Sequence, residues 1–266
     1  MQLCVVENGA VTTRSTAATA ATAATADDAV PWWSFTKLLI AAAFWRNEID
    51  IERPLRGRGG PFTLYTVKEV LMHRAGLSCY GPLPHYHQAA ARGDTPWDAD
   101  RFWAETKADD LIGEPGQAFA YSNIGYMLLR EELECQGIAL PFVSEPLEGY
   151  DPPYDPRWVA HGLMAGTLAD AALQLDAMAR DDFGAWALSD QSQIGGPLPG
   201  RPWKMPTYGL GVMADMGRCF GHTGQGPGSV FACYHFRREA ITIAGFAQTD
   251  DQGEVEQAVC DAAAKL

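Results

Sequence analysis

The chain has 266 residues, enough for one large domain or two small ones, and its 47% hydrophobic share supports a sizeable core and excludes general disorder. A formal charge of -13 excludes nucleic acid and anionic membrane as main partners, because both demand a basic face. Six scattered cysteines (4, 79, 135, 219, 233 and 260) form no C-x-x-C pair and no metal-like spacing, so free thiols in a reducing compartment are expected.

The N-terminus turns polar within a few residues and has neither a basic nor an apolar leader region. No window approaches about 18 consecutive apolar residues. A cytoplasmic protein is the expectation. Val5-Val6 and Val11-Thr12-Thr13 read as short strands around the turn signal Glu7-Asn8-Gly9. The Ala/Thr run over 15–26 reads as a loop, since its β-branched threonines oppose the helix that its alanines favour.

The strongest helix signal covers Ser34 to Glu48, where Leu38, Leu39, Ala42 and Trp45 recur at helical spacing. A second helix follows Thr66, with Val67, Val70 and Leu71 on one face, and ends at Arg74-Ala75-Gly76. Residues 76–100 lack periodicity and read as loop. A helix is predicted over Ile124–Leu133, an irregular stretch with five prolines over 139–158, and a helix over Thr167–Ala179. The last third changes character: Gly209–Met213, Ser229–His235 and Ala240–Gln248 read as strands, and Glu254–Lys265 as a closing helix. Strands at both ends with helices between them give an α+β fold, an antiparallel sheet built from both termini with an inserted, mainly helical lobe. The sheet lobe is expected over about 1–60 and 205–266, the helical lobe over about 61–204.

Three strings carry chemistry. Ser34 and Lys37 stand three apart at a helix start, so both side chains share one face. Serine needs a neighbouring base to become a nucleophile, and lysine serves only where desolvation or a nearby cation favours its neutral form. The flanking Trp32-Trp33 and Leu38-Leu39 supply an apolar setting. The plain alternative is a serine N-cap beside a solvated lysine. Tyr121 and Asn123 are two apart; a phenol can relay the serine proton, and an amide can both donate and accept. Their plain alternative is a half-buried tyrosine and an asparagine N-cap.

His222-Thr223-Gly224 falls at the start of an expected edge strand, where Gly224 would let a substrate backbone approach closely. The N–H of Gln225, with that of Ser34, would form an oxyanion hole. His222 has three readings: binding a substrate group, assisting proton transfer, or an inert turn histidine. His85 and His87 resemble a metal pair but lack a third ligand at usable spacing, so no metal site and no cofactor are expected. His73, at a helix end, reads as structural.

With these motifs in order, the chain resembles the serine β-lactamase and penicillin-binding-protein superfamily. The likeness is strongest to the branch of class C β-lactamases, family VIII carboxylesterases and D-amino-acid peptidases. It extends to Thr63–Leu77, which is similar to that branch's "I-T-L-x-D-L-L-x-H-x-S-G-L", and to Gly113–Tyr126, similar to "P-G-x-x-x-x-Y-S-N-x-G-Y". Gly162–Asp170, Tyr208–Gly211 and Gly221–Gly224 continue it. The resemblance implies one β-lactamase/transpeptidase-like catalytic domain over 1–266. It implies Ser34 as acylated nucleophile, Lys37 and Tyr121 as proton carriers, Asn123 as polar anchor, and His222 and Gly224 lining the site.

The implied activity is hydrolysis of a small-molecule ester or amide, carboxylesterase-like first. A D-amino-acid amidase or peptidase, a weak β-lactamase or a silent ligand-binding relative are the alternatives. Three departures bear on specificity. His222 replaces a lysine whose charge helps hold a substrate carboxylate. The chain is short between Glu134 and Gly162 and around 185–207. Trp32-Trp33 replaces smaller residues, either packing the core or narrowing the acyl pocket.

Overall fold

The computed structural model describes residues 1–16, 28–55 and 64–266. Most of the Ala/Thr run therefore lies outside the described residues, though Ser15 and Thr16 extend a strand. The strands are β1 Gln2–Glu7, β2 Ala10–Thr16, β3 Val30–Pro31, β4 Ala165–Gly166, β5 Ser192–Gln193, β6 Pro206–Tyr208, β7 Met213–Asp215, β8 Cys219–Gly226, β9 Ser229–Phe236 and β10 Ile241–Ala247. The helices are α1 Thr36–Arg46, α2 Val67–Leu71, α3 Pro84–Ala91, α4 Ala99–Glu105, α5 Asn123–Cys135, α6 Leu168–Arg180, α7 Phe183–Ala187 and α8 Gln252–Ala263.

Two compact units result, one of Met1–Leu39 with Met164–Leu266 and one of Ile40–Leu163. These boundaries differ from the expected 60 and 205. The reason is α6, which packs on β1, β9 and β10 and so belongs with the sheet.

The sheet unit holds an eight-stranded sheet in the order β2-β1-β10-β9-β8-β7-β6-β5, each neighbour antiparallel, and the separate antiparallel pair β3-β4. Both chain ends build the larger sheet, as the sequence predicts. Every residue of β9 and β10 is buried, so these strands read as apolar runs rather than alternating ones. Helices on both faces explain that. Val230, Ala232, Tyr234, Ile241 and Ile243 meet Val255 and Val259 of α8. On the other face Thr242 Oγ1 reaches Asp176 of α6, 3.3 Å away. The helix α6 starts where Thr167 and Asp170 cap one another's backbone N–H groups.

Of the expected strand Gly209–Met213, residues 209–212 form a turn between β6 and β7, and only Met213 is in a strand, as the first residue of β7. Leu210 N–H donates to the Ala187 carbonyl (2.8 Å), and Gly211 sits at φ +77°. That backbone conformation suits glycine and breaks the extended run.

In the other unit, Thr66 and Glu69 form a capping box that starts α2, which ends at Leu71, short of the expected Arg74-Ala75-Gly76. The stretch 76–100 is not all loop. Pro84 occupies the first turn of α3 and an alanine-rich segment follows, while only Tyr86 and Ala89 are buried. Two buried positions give too weak a stripe for periodicity to reveal. The helix α5 begins near the predicted start, but Ser122 rather than Asn123 is its N-cap, accepting from Gly125 N–H at 3.1 Å.

Candidate active site

In the sheet unit, Ser34 lies in a single 3-10 turn, Trp33–Phe35, just ahead of α1, rather than inside the helix. Trp33 holds φ +44°, a conformation that costs a bulky residue about 1–3 kcal/mol. Its neighbourhood fixes it there: the indole Nε1 donates to Ser229 Oγ at 3.0 Å, and the ring lies against Gly226. Trp32 Nε1 donates to the Gly166 carbonyl at 3.2 Å. Both tryptophans are buried and pack within this unit. The turn thus presents Ser34, half-buried, on a scaffold of aromatic rings.

Lys37, one helical turn on, is fully buried, and its Nζ donates to Ser34 Oγ at 3.0 Å. The reading of a serine cap beside a solvated lysine fails on that burial. An enclosed amine within hydrogen-bonding reach of a hydroxyl has the geometry of a nucleophile and its base.

The strand β8 runs beside this turn. A Cβ on Gly224 would stand 2.5 Å from Ser34 N, 2.6 Å from Trp32 O and 2.7 Å from Trp33 Cβ. Close approach of the protein's own backbone by itself requires glycine here. The register fixes where Gln225 points. Gly226 pairs with Ser229 across the two-residue turn Pro227-Gly228, so residues 226, 224 and 222 direct their N–H and C=O groups at β9. Residues 223 and 225 direct theirs the other way. There β7 pairs only as far as Gly221, so β8 is interior up to Gly221 and an edge beyond it. The expected edge strand therefore begins at His222.

His222 does not face solvent. It is fully buried, its Nε2 is 3.0 Å from Tyr208 Oη, and its Nδ1 is 2.7 Å from the Thr223 carbonyl. A carbonyl only accepts, so Nδ1 carries the proton and Nε2 accepts from the tyrosine. Burial, reinforced by the nearby charges of Lys37 and Arg201, pushes the imidazole pKa down to about 3 against the hydrogen bond to Thr223. The residue is a neutral strut, and no charge at this position can hold a substrate carboxylate.

This has a stability consequence. Unfolded histidine titrates near 6.5, so between that value and about 3 the unfolded chain binds a proton that the native chain does not. The contribution is complete above pH 6.5 and is lost as pH falls through this window, by roughly 2–3 kcal/mol at pH 4.5. Denaturant midpoints of the parent protein should fall more steeply from pH 7 to 4.5 than those of His222→Phe. Parallel slopes would contradict the assignment.

Tyr121 and Asn123 belong to the other unit. His73, at φ +55°, accepts the Ser122 N–H on Nδ1 (3.1 Å), and its ring centroid lies 4.2 Å from that of Tyr121. Ser122 Oγ donates to the Ser78 carbonyl at 2.6 Å, and Asn123 N–H reaches Cys79 Sγ at 3.4 Å. Segment 73–79 thus holds the tyrosine turn in place. The Oδ1 of Asn123 is buried with no hydrogen-bond partner among the described residues. His85 and His87 serve local contacts, at 3.0 Å to Glu105 Oε2 and 2.6 Å to the Gly81 carbonyl. Among the described residues no group of histidine, cysteine and acidic side chains could hold a metal ion.

Sequence reasoning missed Tyr208 and Glu256. Glu256 is fully buried and accepts from Thr223 Oγ1 and from Arg201. Its signal was available, since Val255, Glu256, Val259 and Cys260 share one helical face.

An antiparallel sheet closed by both termini, helices on both of its faces, and an S-x-x-K pair beside its H-T-G strand define the β-lactamase/transpeptidase fold. The chain belongs to the beta-lactamase family, whose model matches residues 1–134. Solved structures agree on the fold. D-amino acid amidase from Ochrobactrum anthropi SV3, complexed with D-phenylalanine, superposes with a TM-score of 0.73 at 18% identity, covering 99% of this chain and 93% of that one. A D-stereospecific amidohydrolase from Streptomyces sp. gives 0.70 at 20%, covering 98% and 92%. A penicillin binding protein from Bacillus halodurans gives 0.66 at 15%, covering 98% and 94%. A sequence search of curated proteins returns no match. No helix among the described residues is long and apolar enough to cross a membrane.

Proposed function

We propose that this chain is a serine hydrolase that forms an acyl-enzyme at Ser34 and releases it with water. The observation that carries the reading is the 3.0 Å contact between Ser34 Oγ and the fully buried Lys37 Nζ. Ser34 Oγ attacks the carbonyl carbon of an ester or amide while Lys37, in the fraction of molecules whose amine has lost its proton, takes the hydroxyl proton. That proton passes to the leaving oxygen or nitrogen as the carbonyl re-forms. Water then attacks the acyl-enzyme and gives one of its protons to Lys37, which passes it to Ser34 Oγ as the acyl–serine bond breaks. In this reading Tyr121 shares the proton transfer and Asn123 anchors the substrate, as the family resemblance implies. The N–H groups of Ser34 and Gln225 hold the oxyanion. The chemistry needs no metal or organic cofactor.

A carboxylesterase-like activity on a small molecule is one form of this proposal. A D-amino-acid amidase is the other, favoured by the D-amino acid amidase and D-stereospecific amidohydrolase among the structural neighbours. The neutral, enclosed His222 weighs against β-lactams, which carry a carboxylate. Six free thiols, including four buried ones, suit a reducing cytoplasm.

Turnover of p-nitrophenyl butyrate, D-phenylalaninamide and nitrocefin, measured beside Ser34→Ala, tests this. Serine-dependent turnover of the ester or of the amide selects between the two forms. Absence of turnover and of any acyl adduct by mass spectrometry would leave a silent ligand-binding relative.

A further inference from the structure

Beyond Gly221, β8 has a strand on one side only, yet this is where Gln225 N–H must be held. The face of β8 that carries residues 223 and 225 looks toward α8, and both side chains are tied there. Thr223 Oγ1 donates to Glu256, which is fully buried and also receives Arg201 through Nε and Nη2. Tyr234 Oη lies 2.8 Å from the same threonine oxygen. Gln225 Nε2 donates to the Asp250 carbonyl at 2.8 Å, and Gln252 Nε2 donates to Gln225 Oε1 at 2.7 Å. Gly228 N–H, in the turn after β8, meets Asp250 Oδ1 at 3.2 Å. The start of α8 thus grips the free end of β8 at alternate residues, and a buried carboxylate is an expensive way to secure one threonine unless its position matters.

We propose that Glu256, charge-balanced by Arg201, is a positioning residue that fixes the free end of β8 and thereby the Gln225 N–H of the oxyanion hole, with Gln252 as a second tether. The proposal rests on the acyl-enzyme reading above. An oxyanion donor gains its effect from being in place before charge develops, so a loosened strand should weaken transition-state binding while leaving ground-state binding nearly intact.

The test removes the acceptor without stranding a charge. Arg201→Met combined with Glu256→Leu replaces a buried ion pair by apolar groups, a change that commonly preserves folding. Its kcat should fall about tenfold to a hundredfold with KM within about threefold. Affinity for phenylboronic acid, a tetrahedral mimic formed on the serine, should fall by the same factor as kcat/KM. Glu256→Gln, which keeps a carbonyl acceptor for Thr223, should recover most of the loss. A folded double variant with parental kcat and boronic acid affinity, or one altered in KM alone, would overturn the proposal. Should the double variant fail to fold, Gln252→Ala carries the same readouts: a smaller parallel loss supports the tether, and unchanged values overturn it. Wild-type protein without Ser34-dependent turnover or boronate binding would instead overturn the hydrolase reading, and this proposal with it.

Discussion

Ser34→Ala should abolish turnover of whichever acyl donor the protein accepts, lowering kcat by on the order of 10³-fold or more while substrate still binds. Lys37→Met should come close to the same loss, because a nucleophile and the base in contact with it act as one unit. The double variant should be little worse than either single one. This non-additivity is the sharper measurement, since independent contributions would multiply. Lys37→Met also replaces a fully buried amine by a side chain of similar length, so the fold should survive and the melting temperature should hold or rise. A folded Lys37→Met protein that keeps more than about a tenth of parental kcat would remove the lysine from the mechanism.

The second large effect belongs to Gly224. An added Cβ would stand 2.5 Å from Ser34 N and 2.6 Å from Trp32 O, both backbone atoms of the turn that presents Ser34. Backbone cannot swing aside as a long side chain can, so Gly224→Ala must move the turn or β8. A cost of about 1–3 kcal/mol is expected from overpacking, with the melting temperature lowered by several degrees. If Ser34 is the nucleophile proposed above, its displacement by about 1 Å should cost roughly 10²-fold in kcat/KM. Gly113→Ala is the control, because a Cβ there meets nothing within 4 Å. Thermal melts and kinetics on the two variants separate a general glycine effect from this one. Equal behaviour would mean that the turn and strand can part without consequence.

The elements that read clearly from sequence are those whose signals are local. The β1–β2 hairpin followed from a turn dipeptide between valine runs, and α5 and α6 from apolar stripes behind a capping residue. The elements that misled are those whose apolar content is shared with a neighbour. The helix α3 buries two side chains and so shows no stripe, and Gly209–Val212 looks extended until the Ala187 carbonyl is placed beside it.

The same division holds at the site. The sequence by itself determined which groups are present and that Ser34 and Lys37 share a face, because three residues of helical chain set that distance whatever surrounds them. It also determined that both termini supply strands. Only the tertiary structure decided that Lys37 is enclosed, and that Gly224 is glycine because Ser34 lies against it. It also decided that His222 is a neutral strut between Tyr208 and the Thr223 carbonyl rather than a substrate ligand. Protonation and exposure are set by what surrounds a group in space. For His222 that includes Lys37 and Arg201, distant in the chain and brought near by the fold. Spacing along a chain carries no record of such neighbours, whereas helical periodicity and turn chemistry are fixed within a few residues.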